Sequence, residues 1–357
     1  MKIKSFRYSL HNISLKKPYT ITYSSTSEVD IFVFEIILSN GIEGYGTASP
    51  MFEVVGETAL DSLYIVEQES DFEAMIVGKD IVEFQHIIYN IMLRYPKNPG
   101  LLAAIDLALH DAFCKFINCS VATFYGQKFS SLPTSVTLGI KNTADMIAEV
   151  KDYKSQGFNC FKMKIGIDFE ADIERIHSLL ECVGSQAEVR LDANQGYSYT
   201  QLKALFGQIH KYPNITVIEQ PLKVGLEAEL LDLPLNQRKR LVGDESIKNP
   251  QAAFDFAQSK NFGVYNIKLM KCGGILAAKE IAYSAQLGNI DLFWGCNDES
   301  VVSIAAALHI AFCCQQTKYL DLDGSFDLES DIFIGGFKID KGMMTLSNGL
   351  GLGVKKG

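Results

Sequence analysis

Eight cysteines are scattered through 357 residues with no pair at CxxC spacing, which removes the usual zinc-ribbon and thiol-redox signatures. No run of basic residues exceeds three and the formal net charge is −9, so a nucleic-acid backbone would find no clustered Lys and Arg to bind. Long apolar runs are also missing: no stretch approaches a membrane span. The opening MKIKSFRYSLHNISLKK alternates polar and apolar residues where a secretory signal would be continuously apolar. These absences point to a reducing cytoplasm, with the cysteines acting as small hydrophobes in apolar runs. They also set aside nucleic acid and membrane as partners.

With 47% hydrophobic and 21% charged residues, the chain can bury a large core and exceeds the usual size of one domain. Residues 1–125 read as an α+β unit. Strand-like stretches at 2–8 and 31–38 and a turn-rich 41–50 precede a helical pattern at 101–116, where His110 is expected to be a capped or core histidine. The strand and turn character of 332–356 predicts that 326–357 packs back to complete this unit. The glycines at 349, 351 and 353 imitate part of a dinucleotide fingerprint, but no helix follows them.

Between these parts, residues 126–325 alternate strand and helix eight times, with strands expected at 134–140, 160–165, 189–193, 216–219, 240–243, 264–269, 291–295 and 319–322. Short connections make such strands parallel through right-handed crossovers. Eight repeats predict closure, so the fold class is α/β: a (β/α)8 TIM-type barrel with an α+β capping domain.

The polar residues at the strand ends carry the chemistry. Lys164, Asp192, Glu219, Asp244 and Lys268 follow one another at spacings of 24 to 28 residues, the length of a strand and its returning helix. In such a barrel every strand's C-terminal end faces one pocket. A single acid there is often a helix cap, but three on consecutive strands repel one another unless a cation intervenes. An all-oxygen trio of Asp192, Glu219 and Asp244 suits one Mg²⁺. Asn194 and Glu245 lie beside the trio as supporting or solvent-facing groups.

Lys162 and Lys164 sit two apart on one strand and so share a face, where mutual repulsion is expected to lower their proton affinity and suit one to act as a general base. Lys268, on the sixth strand, lies across the barrel from them. A metal that binds a substrate carboxylate acidifies the neighbouring C–H, and a base on each side allows removal from one face and return to the other. The pattern predicts 1,1-proton transfer.

Several motifs together resemble the enolase superfamily, specifically its muconate-lactonizing-enzyme subgroup, along essentially the whole chain. They are Gly-Tyr-Gly-Thr-Ala-Ser-Pro at 44–50, Gly-Glu-Thr at 56–58, Ala-Ile-Asp-Leu-Ala-Leu-His-Asp at 104–111 and Lys-Met-Lys at 162–164. The resemblance implies that Lys164 is a base supported by Lys162, and that Lys268 is the opposing base. No histidine stands at a strand end, which sets aside relatives with a histidine base. Asp321-Leu-Asp323 resembles the Asp-x-Asp motif by which dipeptide epimerases hold a substrate's α-ammonium. Ser135, Thr137 and Asn297 are counted as further substrate contacts, Asn297 replacing an apolar group of the family.

The implied activity is Mg²⁺-dependent epimerisation at the α-carbon of a dipeptide's C-terminal residue. L-Ala-D/L-Glu from cell-wall recycling is the leading substrate, although the lid segment at 19–26 lacks the arginine that some such epimerases use. Alternatives within the subgroup are o-succinylbenzoate synthase, N-succinylamino acid racemase and cycloisomerase. The expected partner is a small dipeptide, and a homo-oligomer is left open.

Overall fold

Alternating residues at the start of the chain form a long antiparallel hairpin of β1 (Ile3–Thr20) and β2 (Ser25–Leu38), with β3 (Glu43–Ala48) beside β2. The computed structural model describes residues 1–20 and 25–357, and side chains outside 17–25. Of the lid segment at 19–26, residues 21–24 therefore lie outside the described residues, as do the side chains of 19–25. The hairpin is longer than the apolar runs at 2–8 and 31–38 suggest. Polar Ser9 and Ser14 are carried into it by pairing with Val33 and Glu28, a contribution that local hydrophobicity cannot register.

The motif residues of this unit act through packing and capping. β3 lies against a helix, α1 (Pro99–Phe116), so closely that a Cβ on Gly46 would stand 1.8 Å from the Ala104 carbonyl oxygen. Only glycine facing alanine allows that approach. Buried Glu57 accepts from Gly100 N at 2.6 Å and Leu101 N at 3.0 Å, capping α1 where Pro99 begins it.

Along α1, Asp106 accepts from Ile275 N (2.8 Å) and Leu276 N (3.2 Å) and so caps a helix of the barrel. His110 is a core histidine, as expected, with Nδ1 2.8 Å from the Asp106 carbonyl oxygen and Nε2 2.7 Å from Tyr125 Oη. Asp111 accepts from Tyr45 N at 2.9 Å and from Leu352 N at 2.8 Å, tying the C-terminal segment to the N-terminal unit.

The barrel strands are β4 (Val136–Leu138), β5 (Cys160–Lys164), β6 (Glu188–Asp192), β7 (Ile215–Glu219), β8 (Leu241–Gly243), β9 (Val264–Ile267), β10 (Asp291–Gly295) and β11 (Thr317–Asp321). They run in parallel, with neighbours in chain order. Their register aligns the rim: Lys164 lies opposite Asp192, and Asp192 opposite Glu219. Closure between β11 and β4 is sparse, resting on a bridge between Thr134 and Leu320 rather than a ladder.

All eight expected strands are present, but several ends differ. Lys268 is not in the sixth strand; it begins a short helix, α2 (Leu269–Cys272). Asp323 lies past the end of β11, so Asp321 and Asp323 do not share a strand face. In both places a polar residue with partners beyond the sheet stands where the ladder stops: half-buried Lys268 beside Asp244, and buried Asp323 accepting from Thr137 N. No helix among the described residues is long and apolar enough to cross a membrane.

Candidate active site

The strand-end residues meet at the C-terminal rim. Lys162 Nζ stands 2.8 Å from Asp321 Oδ2, 2.9 Å from Glu219 Oε2 and 3.0 Å from Asp192 Oδ2. Lys164 Nζ donates to Asp192 Oδ2 at 2.7 Å and Asn194 Oδ1 at 2.9 Å. On the far side, Lys268 Nζ is 3.2 Å from Asp244 Oδ2. Thr137, Asn297, Asp321 and Asp323 line the same cavity with the three lysines and Asn194.

Among the described residues no three acidic, histidine or cysteine side chains are gathered around one point ready for an ion. Lys162 stands among Asp192, Glu219 and Asp321 instead, while Asp244 is held by Lys268 and Lys271. Buried carboxylates without a metal take ammonium partners, so this arrangement follows from the charges themselves. The donor set still fits a hard divalent cation: the trio is fully buried, all oxygen, and drawn from consecutive strand ends. Glu219 Oε2 also lacks a hydrogen bond of good geometry.

The expected depression of lysine proton affinity does not hold at Lys162. Burial opposes its charge, but the nearby Asp192, Asp321 and Glu219 carboxylates outweigh that and raise its pKa well above the ordinary value. Lys268 is raised in the same way, with Asp244 overcoming burial. The acids divide. Asp192 is brought down to about 2 because Lys162 and Lys164 overcome burial, whereas burial and the neighbouring Asp192 push Glu219 up to about 8.

Ser135 stands one step back, whereas Thr137 and Asn297 line the cavity and also fasten its rim. Ser135 is fully buried and faces no cavity; its hydroxyl donates to Asp321 Oδ1 at 2.5 Å. Thr137 N donates to Asp323 Oδ2 at 2.7 Å. Asn297 lines the cavity, but its amide donates to the Ser49 carbonyl oxygen at 3.0 Å and fastens the N-terminal unit to the rim. Asn194 Nδ2 reaches Glu245 Oε1 at 3.3 Å, linking both supporting groups to Lys164.

Sequence reasoning missed Lys271, whose buried Nζ binds Asp244 Oδ1 and also the Asp244 carbonyl oxygen at 2.6 Å. It also missed Asn266, which donates to Glu219 Oε1 at 2.6 Å. Alternation along β9 places Asn266 on the face that Lys268 continues, so that signal was available. Met51, Asp298 and Asp327 also line the cavity, and no signal in the local sequence marked them.

Burial pushes Asp298 up to about 7 with help from Asp327, Glu299 to about 7, and Asp323 to about 8 with help from Asp321. Each keeps in the folded chain a proton that it would release on unfolding above about pH 4. Their contribution to stability is therefore full below about pH 4, declines as pH rises above that, and is gone above about pH 7 to 8. His309, lowered to about 4 by burial, works in the opposite sense but only below its ordinary 6.5. Thermal unfolding of the metal-free, substrate-free protein should give a Tm that falls from about pH 6.5 to about pH 8.5; a flat or rising Tm would contradict these assignments.

Comparison with known proteins accords with this geometry. The model described as "Mandelate racemase / muconate lactonizing enzyme, N-terminal domain" matches residues 6–126, and the one described as "Enolase C-terminal domain-like" matches 145–356. The chain is 39% identical over 355 residues to the L-Lys-D/L-Arg epimerase of Methylococcus capsulatus, covering 99% of each. It is 39% identical over 357 residues to that of Desulforapulum autotrophicum, covering 100% of each. It also superposes on a crystal structure of a dipeptide epimerase from Methylococcus capsulatus complexed with Mg and the dipeptide L-Arg-D-Lys. There the TM-score is 0.96 at 38% identity, with 99% of each chain covered. Both halves of the chain are thus accounted for, and it belongs to the mandelate racemase and muconate lactonizing enzyme family of the enolase superfamily.

Proposed function

We propose that the chain is a Mg²⁺-dependent dipeptide epimerase that inverts the α-carbon of the C-terminal residue, and that its preferred dipeptides carry a cationic side chain. The observation that carries the cationic preference is the surplus of acid. Beyond the metal trio, Asp298, Asp321, Asp323 and Asp327 line the cavity with Lys162, Lys164 and Lys268, and among the described residues no arginine does. The Asp298 carboxylate makes no hydrogen bond or ion pair among the described residues. A half-buried carboxylate such as Asp298, with no partner of its own, is stabilised by a bound cation. This lining favours a lysine or arginine side chain over the glutamate expected from the sequence. It also disfavours cyclising substrates and N-succinyl amino acids with neutral or acidic side chains, which bring no cation; N-succinyl-lysine or N-succinyl-arginine would bring a side-chain cation but no α-ammonium for Asp321 and Asp323.

In this reading Asp192, Glu219 and Asp244 would hold the Mg²⁺. When bound, that ion supplies a Lewis acid for the substrate's terminal carboxylate and makes the adjacent C–H more acidic. Lys164 and Lys268 carry the proton on the two sides of the α-carbon, and Lys162 keeps positive charge beside Asp192. Asp321 and Asp323 receive the α-ammonium, and Asp298 meets the cationic side chain. Lys162 and Lys164 are buried and Lys268 is half-buried, which limits the access of water to the reacting carbon.

The test is incubation with Mg²⁺ and a dipeptide library in D₂O, followed for α-deuteration and inversion. Dipeptides ending in Lys or Arg, such as L-Lys-L-Arg, should exchange fastest. Faster turnover of L-Ala-L-Glu would remove the cationic preference but leave the epimerase reading standing. No exchange with any dipeptide would remove both.

A further inference from the structure

We propose that Arg190 is a positioning residue that staples the sparse seam of the barrel and, through Ser135, fixes the carboxylate of Asp321 for substrate binding. This rests on the reading of Asp321 as a receptor for the substrate's ammonium. Arg190 lies on β6 two residues before Asp192, is buried inside the barrel, and does not line the cavity. It therefore cannot meet substrate directly.

Its guanidinium is held from several sides. It lies 5.1 Å from the centre of the Phe293 ring and 4.9 Å from that of Tyr319, and its Nε donates to Glu188 Oε1 at 2.8 Å. Nη1 reaches across the barrel to the one place where neighbouring strands lack a ladder. There it donates to the Leu320 carbonyl oxygen at 2.5 Å and to Ser135 Oγ at 3.2 Å. Leu320 and Ser135 belong to the two sides of the β11–β4 closure, where Ser135 N also donates to the Leu320 oxygen at 3.0 Å. A buried arginine is expensive, and this one gives its charge to a junction that backbone pairing leaves thin.

The polarity of the chain of bonds is fixed. Arginine can only donate, so Ser135 Oγ accepts from it and is left to donate its own proton. That proton goes to Asp321 Oδ1, at 2.5 Å the nearer of two acceptors, the other being the Leu320 oxygen at 3.3 Å. Asp321 Oδ1 is thereby occupied, and Oδ2 is the oxygen presented to cations, where Lys162 Nζ now stands at 2.8 Å. Arg190 thus determines both where the seam holds Asp321 and which of its oxygens faces the cavity.

The experiment compares wild type, R190M, R190K, S135A and D321N with L-Lys-L-Arg and with its N-acetyl derivative, which has no α-ammonium. For R190M the KM of the free dipeptide should rise about tenfold, equivalent to about 1.4 kcal/mol, with kcat within about threefold and little change for the N-acetyl compound. R190K should recover part of the loss, since lysine donates to Leu320 without the fork. S135A keeps the bond to Leu320, breaks only the link to Asp321, and should shift KM in the same direction. Unchanged KM in folded R190M and in S135A, alongside a raised KM in D321N, overturns the positioning role. Should R190M fail to fold, S135A decides alone. An unchanged KM in D321N would instead refute the ammonium reading itself.

Discussion

Lys268→Ala and Lys164→Ala are each expected to lower the rate of inversion by about 10³-fold, the usual scale for removing a positioned acid–base group. Inversion needs a proton taken from one face and another delivered to the opposite face, and each variant retains one of the two lysines. The retained lysine should still exchange the α-proton of one diastereomer with D₂O while the configuration stays as it was. Proton NMR of the α-position, run separately from each diastereomer, resolves exchange from inversion. Both variants should fold, because Asp244 keeps Lys271 and Asp192 keeps Lys162 as ion-pair partners. Inversion at the wild-type rate in either variant would end the two-base reading.

Glu219→Gln is expected to abolish activity with little change in stability. In the metal-free protein burial and Asp192 push the Glu219 carboxyl up to about 8, so it is a strained acid near neutrality. A neutral amide of the same shape removes that repulsion and keeps an oxygen to accept from Asn266 Nδ2, which now donates at 2.6 Å, but it sets its NH2 against the Lys162 ammonium, which stands 2.9 Å from Oε2. The two effects oppose each other, so the urea midpoint of the metal-free protein should move by less than about 1 kcal/mol in stability. Activity should fall by about 10³-fold, with Mg²⁺ affinity lost in calorimetry, because one of three anionic oxygen donors is gone and Lewis-acid assistance is worth several kcal/mol. A variant that binds Mg²⁺ like the wild type would exclude Glu219 from the ion's ligands.

Much of the architecture was legible because it is periodic. Strand-ending polar residues 24 to 28 apart could be read as a rim without coordinates, since each repeat is one strand and one helix. The partners of those residues were not legible. Lys271 lies one helical turn beyond Lys268, and the short helix that brings it to Asp244 depends on contacts with the N-terminal unit, where Asp106 caps the following helix. Ser135 looked like a substrate contact because it sits on the first barrel strand, but the thin seam between β4 and β11 turns its hydroxyl behind Asp321.

The sequence by itself determined the barrel, the unit packed on it, and the identity of the acids and lysines at the rim. Those features follow from hydrophobic period and residue type, which are local properties. Tertiary structure alone decided that Lys162 stands among three carboxylates, that Arg190 crosses the barrel to its seam, and that Asp298 and Asp327 join the lining of the cavity. Charge balance inside a buried site is summed over groups brought together from distant segments, and no window of sequence contains that sum.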